Sequence, residues 1–429
     1  MAAETAAERA VRCAMGELPS GGTLHVALSG GRDSVVLLHL AVLARNRLAP
    51  RLRPALTALH VDHGLQPAAA DFVGFCRALC RQWAIPLSVV PVTVDTTDGI
   101  EAGARRARYA AFAERLGRDD VLWLAHHRGD QAETVLLRLM RGAGVTGLSG
   151  MPRARALGGG RLVRPLLGLE AAAVAEHADR HGLAWQEDPS NRDDRFDRNH
   201  IRHRVMPALS ERWMAEACLA QSADQLGEAD ELLDELAGLD LARLGQAPGR
   251  LPLAGIVALS RPRQRLLIRG CLRRLALPLP SRPRLESLLE QCAEARRDSR
   301  IHLDWSGAEA RVWRGELFLQ PPVAPLPTGW QCDWQGEPGI ATPAGRLDWR
   351  LVREDGAAVV VSLGPRLGGE RLQRGGRHRR VKQLLQEASI PPWRRERVAI
   401  ARRGSEVVAL LGEGMALAAD GWRLMDCRE

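Results

Sequence analysis

Leu24-His25-Val26-Ala27-Leu28-Ser29-Gly30-Gly31-Arg32-Asp33-Ser34-Val35 decides the fold of the first half of this chain. Leu24 to Leu28 is a short β-type run, and Val35 to Leu43 is an apolar run that predicts a helix. Strand, glycine-rich turn and helix N-terminus together make an anion cradle. The first-turn N–H groups of a helix lack intrahelical partners, and its dipole favours negative charge there. Gly30 and Gly31 allow a close backbone approach, and Ser29 and Ser34 offer hydroxyl donors. Arg32 adds a cation, and Asp33 is a candidate Mg2+ ligand. Glycine also serves strand-to-helix turns for steric reasons alone, so the hexapeptide by itself leaves both readings open.

Lysine usage narrows them. Lys+Arg number 60, yet the one lysine is Lys382, far from this turn. A Walker-type loop requires Gly-Lys-Ser/Thr, and a protein kinase requires a strand lysine. Both are excluded, so a nucleotide held at Ser29–Ser34 is held without lysine.

The pattern from Thr23 to about Leu167 alternates short apolar strands with helices. Strands are predicted at Leu24–Leu28, Ala55–Val61, Leu87–Val92, Val121–Ala125 and Leu162–Leu167, and helices at Ala68–Ala84, Glu101–Gly117 and Asp130–Arg141. That alternation predicts an α/β domain with a parallel sheet covered on both faces. Ligands of such sheets sit outside the carboxyl ends of the strands, where Ser29–Ser34, His60–His63 and His126–His127 all fall. Residues 1–213 are read as this domain. A mainly helical middle domain follows at 214–320, with helices at Ala217–Leu236, Arg263–Leu275 and Leu285–Cys292. Residues 321–346 hold six prolines and read as a linker. Residues 347–429 read as a small mixed α/β domain with strands at Arg350–Val352, Ala358–Val361, Val398–Ala401 and Val407–Leu411.

Composition bounds the rest. No apolar run reaches the roughly 18 residues of a membrane span. Met1–Gly16 suits an amphipathic helix better than a signal peptide. Eight scattered cysteines suit a reduced cytoplasm, and Cys76 and Cys80 read as buried thiols on one helix. Arg366–Arg403 carries twelve Arg/Lys against three Glu, which equals the whole chain's surplus of +9. Such a tract is either a solvated face or a phosphate-backbone contact surface, and the second reading is favoured. Its candidate contacts are Arg371, Arg374, Arg377, Arg379, Arg380, Lys382, Arg394, Arg395 and Arg397.

Three further stretches carry chemistry. His126-His127-Arg128-Gly129-Asp130-Gln131-Ala132-Glu133 follows a strand and opens a helix. Asp130 and Glu133 at that spacing can form a capping box, which leaves two adjacent histidines beside a phosphate site unexplained. His60-Val61-Asp62-His63 splays alternate side chains to opposite faces of a strand, so adenine or ribose positioning is expected there in preference to zinc. In Glu187–Arg204, arginines at 192, 195, 198, 202 and 204 recur at helical spacing and are expected to aim several guanidiniums at one side.

Ser-Gly-Gly-Arg-Asp-Ser resembles the signature of PP-loop ATP pyrophosphatases. Six motifs in order make the resemblance more specific: Ser29–Ser34, His60–Leu65, Leu124–Thr134, Arg141–Met151, Arg164–Leu167 and Glu187–Arg202. With Gly375-Gly376-Arg377 and Ile390–Arg397 in the tail, the chain resembles the tRNA(Ile)-lysidine synthetase family over nearly its whole length. The resemblance implies a ligase. ATP, with Mg2+, adenylates the wobble cytidine of a tRNA(Ile) carrying a CAU anticodon, and the amine of L-lysine then displaces AMP. It implies ATP binding by Ser29, Gly30, Gly31, Arg32, Asp33 and Ser34, metal binding by Asp33, and an active-site set of Asp33, His126, Asp130, Glu133 and Arg198. The location implied is cytoplasmic, with no membrane partner. Nothing in the sequence decides between monomer and homodimer. A tRNA thiolase would want paired cysteines, and no Cys-x-x-Cys occurs. A non-catalytic RNA-binding protein with a degenerate nucleotide fold would have no need of the intact loop carboxylate and serines.

Overall fold

A computed structural model describes residues 4–64, 69–97, 99–245, 247–296, 299–412 and 414–427. Ala68 of the helix expected at Ala68–Ala84 and Leu65 of the His60–Leu65 motif lie outside the described residues, as do Met1–Ala3. The chain forms two compact units, Met1–Leu233 and Asp234–Glu429.

In the first unit the helices are α1 (Ala6–Gly16), α2 (Arg32–Asn46), α3 (Ala69–Gln82), α4 (Ile100–Arg115), α5 (Arg128–Met140), α6 (Val145–Leu148) and α7 (Ala171–Arg180). Strands are β1 (Thr23–Ala27), β2 (Ala55–Asp62), β3 (Leu87–Pro91), β4 (Val121–Trp123), β5 (Ala154–Leu157) and β6 (Gly160–Val163). The sheet runs β3-β2-β1-β4-β6-β5. All pairings are parallel except the β5–β6 hairpin, which the sequence reading did not anticipate.

Alternation along the strands explains the layering. Leu24, Val26, Val121 and Trp123 pack with residues of α1, α2 and α7 on one face. Leu59, Leu122 and Leu162 pack with Phe112 and Leu116 on the other. Each fully buried side chain contributes about 1.5–3 kcal/mol, so both faces hold the sheet firmly. The chain moves outward from β1 to β2 and β3, then returns to place β4 on the opposite side of β1. This reversal opens a crevice beyond the carboxyl ends of β1 and β4, where the Ser29 turn and His126-His127 emerge.

The remaining helices of this unit are α8 (Asp197–His200), a π-helical turn over Ile201–Val205, and α9 (Met206–Ser210). Helix α10 (Ala215–Leu244) runs through the unit boundary, which therefore lies within a helix and later than the break expected after residue 213. Its start packs with Ala132, Ile201 and Met206.

After the end of α10, the second unit has helices over Leu253–Val257, Arg261–Arg274 and Arg282–Glu294, packed on a four-stranded antiparallel sheet. A seven-stranded sheet follows in the C-terminal part, with two short helices, Val381–Glu387 and Pro392–Arg395. The stretch expected as a linker is structured. Cys332–Trp334 pairs with Val361–Gly364, and Ile340–Thr342 pairs with Gly345–Leu347. None of the six prolines lies within these strands, and Trp334 and Leu326 are buried. The strand expected at Ala358–Val361 begins only at Val361.

Candidate active site

The Ser29 turn is locked by its own hydroxyls. Ser34 Oγ donates to the Gly31 carbonyl at 2.8 Å and accepts from the Ser29 N–H at 3.1 Å. The Ser29 hydroxyl lies 3.0 Å from it and accepts from the Gly31 N–H at 3.3 Å. Helix α2 starts at Arg32 without a side-chain cap, leaving the first-turn amides for a ligand. Gly30 has φ +93°, and a Cβ there would lie 3.0 Å from the Phe72 ring. The dihedral favours glycine, and a Cβ would also press on the Phe72 ring.

His60 braces the frame of the site. Buried, it donates from Nδ1 to the Leu28 carbonyl at 2.8 Å, tying the end of β1 to β2.

Helix α5 starts at Arg128, earlier than expected, with His127 as its N-cap. The capping box is formed by His127 and Asp130, so Glu133 has no part in it. His127 Nδ1 accepts from the Gly129 N–H at 3.1 Å, and Asp130 Oδ2 accepts from the His127 N–H at 3.0 Å. With Nδ1 occupied as an acceptor, the Nε2–H of His127 faces two carboxylates: Asp130 at 3.6 Å and Asp33 at 3.8 Å. His127 thus joins the phosphate loop to α5. Asp33 keeps a third of its side chain exposed, and its other neighbour is Arg32 Nε at 3.2 Å.

Asp130 and Glu133 are buried, and both are paired with arginine. Arg198 donates from Nε to Glu133 Oε2 at 2.8 Å and from NH2 to Asp130 Oδ1 at 2.7 Å. Arg202 donates from Nε to Glu133 Oε1 at 2.6 Å and from NH2 to Oε2 at 2.9 Å, and reaches Asp130 Oδ1 at 3.3 Å. Burial acts to raise the Asp130 carboxyl, but His127, Arg198 and His126, with the His127 N–H, hold it below the usual range. Burial acts to lower both arginines, and the two carboxylates overcome it and raise them. Arg198 and Arg202 sit at i and i+4, Arg202 on the π-helical turn, a feature frequent at functional sites. Asn199 anchors the preceding loop by donating to the Ser190 and Asp193 carbonyls.

The other arginines of this stretch do not join them. Arg192 pairs with Glu187, Arg195 with Asp193 and Arg204 with Asp194, all within the loop's own charges. The expectation of several guanidiniums aimed at one side holds for 198 and 202 alone.

His126 is positioned from behind by Arg164, whose Nε donates to Nδ1 at 3.2 Å. Arg164 is buried and also donates to the Pro152 carbonyl at 2.6 Å and to the Tyr109 hydroxyl at 3.4 Å. Burial pushes His126 down to about 3, Arg164 and Arg198 push the same way, and Asp130 only partly opposes them. At neutral pH the ring is uncharged, with Nδ1 accepting and Nε2 carrying the proton. Gly150 and Met151, at the end of the Arg141–Met151 motif, belong to the framework. Gly150 lies where any Cβ would meet Gln131 at 2.7 Å, and Gln131 exchanges two hydrogen bonds with the Met151 backbone.

The PP-loop domain profile matches residues 4–209, the TilS substrate binding domain 251–318, and the TilS substrate C-terminal domain 361–424. A tRNA(Ile)-lysidine synthase of Alkalilimnicola ehrlichii is 43% identical over 94% of this chain and 93% of that protein. The chain belongs to the tRNA(Ile)-lysidine synthase family. A tRNA(Ile)-lysidine synthase of Pseudomonas fluorescens is 41% identical over 93% of this chain and 91% of that protein. Among solved structures, a U34-tRNA thiolase of Methanococcus maripaludis is similar over 52% of this chain and 78% of that chain, at 17% identity and a TM-score of 0.42.

Within this family member, the sequence reading left His127 and Arg164 out of the active-site set and named Arg202 only among the five arginines of its loop. Arg202 had a signal in its i+4 spacing from Arg198. Arg164 had none beyond its motif, because its partners lie 12 to 55 residues away, whereas His127 had a local one in Asp130 three residues on.

The basic tract divides in two. Arg371–Arg374 and Arg377–Arg380 form a hairpin in which Arg371 faces Arg380 and Arg374 faces Arg377. Gly375 and Gly376 turn it with φ +61° and +72°, and Asp420 accepts from both of their N–H groups. Arg371, Arg374, Arg377, Arg380 and Lys382 are exposed, while Arg379 pairs with Glu387. The second group turns inward. Arg395 donates to the Ile390 carbonyl, Arg397 to the Ala344 carbonyl, and Arg394 to the Gln320 side chain.

Proposed function

We propose that this chain converts the wobble cytidine of a CAU-anticodon tRNA(Ile) to lysidine in two steps, as a carbon–nitrogen ligase using ATP and L-lysine. Family membership supports lysidine formation at the wobble position. The observation that carries the chemistry is the convergence of Asp33, His127, Asp130, Glu133, Arg198 and Arg202 at the sheet's carboxyl edge.

In the first step the C2 carbonyl oxygen of cytidine attacks the α-phosphorus of ATP. A phosphorus–oxygen bond forms and pyrophosphate leaves. The Ser29–Ser34 turn cradles the triphosphate through backbone amides. The donor set suits Mg2+: Asp33 is an accessible hard carboxylate beside the phosphate position, and Mg2+ is commonly held by one or two carboxylates plus substrate phosphates. Bound there, the ion would supply neutralisation of the departing pyrophosphate charge. Asp33 would hold it, with His127 fixing the carboxylate's orientation.

In the second step the lysine amine attacks C2, AMP leaves with its bonding electron pair, and the amine loses a proton. Asp130 is a weak base, because its charge is held by Arg198 and its second oxygen caps α5. Its role is to position the arginines and, with Glu133, to receive the incoming ammonium. The two guanidiniums balance the two carboxylates in the free protein. An arriving triphosphate gives Arg198 and Arg202 a second anionic claimant, and partner exchange then frees carboxylate oxygens for the amine. His126, uncharged, presents its Nε2–H as a donor toward developing charge.

The exposed hairpin is the proposed tRNA-backbone surface. Directly opposed like charges cost a sheet roughly 0.2–1 kcal/mol a pair, a cost that an anionic partner reverses. Arg394, Arg395 and Arg397 are assigned instead to the frame of the C-terminal domain.

The test is incubation with C34-containing tRNA(Ile), ATP, Mg2+ and labelled lysine, followed by nucleoside digestion. Label should appear in lysidine with one pyrophosphate per modified nucleoside. Pyrophosphate release without lysine incorporation would overturn the second step, and no release would overturn the first.

A further inference from the structure

On the face of the first unit where α2 and α7 pack, three histidines meet that the proposed reaction does not use. His177 and His181 stand four residues apart at the end of α7, and His39 projects from α2. One ligand atom from each lies within 4.8 Å of the others. His39 Nδ1 and His177 Nε2 are 3.0 Å apart, and the His177 and His181 rings have centroids 4.4 Å apart. His177 is 1% exposed, and its Nδ1 has no hydrogen-bond partner. A core histidine retained only for packing would be expected to satisfy both nitrogens.

We propose that His39, His177 and His181 form a binding site for one borderline divalent cation of the zinc type, which staples α2 to α7. The chemistry of the donors selects the ion. Three imidazoles without thiolate or carboxylate suit Zn2+, Ni2+ or Cu2+ and not the hard Mg2+ of the phosphate site. Two histidines at i and i+4 on one helix face, with a third from a neighbouring element, recur in zinc sites. Burial and the neighbouring His181 lower His39 to about 4, and burial lowers His177 to about 4, so both rings are uncharged at neutral pH with lone pairs to offer. Zinc–nitrogen bonds of about 2.0–2.1 Å place tetrahedral ligands about 3.4 Å apart, so His39 and His177, now 3.0 Å apart, part by a few tenths of an ångström while the widest pair closes by up to about 1.4 Å. His181, exposed at the helix end, is the one that can swing inward. The fourth position then faces solvent and takes water.

The consequence concerns α2. Its N-terminus is the phosphate loop, so a metal clamp one or two turns along steadies the element that presents those amides.

The experiment uses the full-length chain stripped with chelator and titrated calorimetrically with Zn2+ in excess Mg2+. One equivalent should bind and raise the thermal midpoint. His181→Asn, at an exposed position, should weaken binding by about 10-fold or more, since even partners one shell out from a metal are worth that much. His39→Asn should do the same, and His63→Asn, elsewhere in the unit, should leave binding unchanged. Co2+ substitution should give a ligand-field spectrum without thiolate charge transfer. Zinc binding that survives His181→Asn, a thiolate band, or no binding at all would each overturn the proposal.

Discussion

Asp130→Asn is the most informative single change, because the structure gives the two carboxylate oxygens separate duties that one amide cannot both perform. Oδ2 accepts from the His127 N–H at 3.0 Å, and Oδ1 accepts from Arg198 at 2.7 Å. Asparagine has one acceptor. If its oxygen keeps the cap, its NH2 group faces guanidinium donors; if it keeps Arg198, the cap is lost. Either way one hydrogen bond to a charged group or cap disappears, at about 1.5–3 kcal/mol for the former and about 1 kcal/mol for the latter. The Asp130, Glu133, Arg198 and Arg202 group also passes from balanced charge to an excess of one positive. For a unit of this size, about 2 kcal/mol corresponds to a fall of roughly 4–8 °C in melting temperature. Lysidine formation should fall far more, by about 10²–10³-fold in kcat/KM, as for other groups that organise transition-state charge. tRNA affinity should stay within a few-fold. The assay pairs single-turnover lysidine formation with a thermal melt and a tRNA binding isotherm on the same preparation. Activity within threefold of the parent would refute the role assigned to Asp130. Loss of tRNA binding together with a collapsed melt would make the residue a structural cap and nothing more.

Gly30→Ala should sharply lower ATP–pyrophosphate exchange, since φ +93° strains an L side chain and its Cβ would press on the Phe72 ring at 3.0 Å; wild-type exchange would show the turn adapts. Stability of the first unit should fall with acid. His39 and His177, lowered to about 4, and His126, lowered to about 3, are uncharged when folded but take up protons near pH 6.5 when unfolded. Their contribution is complete above about pH 6.5 and is lost as pH falls toward 4 and then 3, so chelator-treated urea midpoints should drop between pH 7 and 5. His39→Asn should flatten that slope, and an unchanged slope would remove the cluster from the account. Reversing Arg371 and Arg380 to glutamate should lower tRNA affinity and reduce the slope of log affinity against log salt by about 2. Arg397→Gln should leave the slope unchanged and lower the melting temperature, because its guanidinium serves the Ala344 carbonyl.

What could be read from the chain alone was whatever adjacent residues decide. The strand, the Gly30-Gly31 turn and the α2 start form one local unit, so the loop and the parallel α/β sheet were legible from Leu24–Val35 and the recurring apolar runs. The helix over Ala6–Gly16 was equally so. Tertiary structure decided the partners. Arg198 and Arg202 meet Glu133 and Asp130 across 65 to 72 residues, and only the docking of α8 on α5 selects those two from five arginines at similar spacing. Which residues would cap α5 turned on a start two residues earlier than expected, a difference that moves the capping box from Asp130 and Glu133 to His127 and Asp130 and frees Glu133 for arginine. In the tail, charge count alone could not separate Arg371 from Arg397. One lies on an exposed hairpin and the other points at a backbone carbonyl, because side-chain direction in a folded sheet depends on register with strands far along the chain.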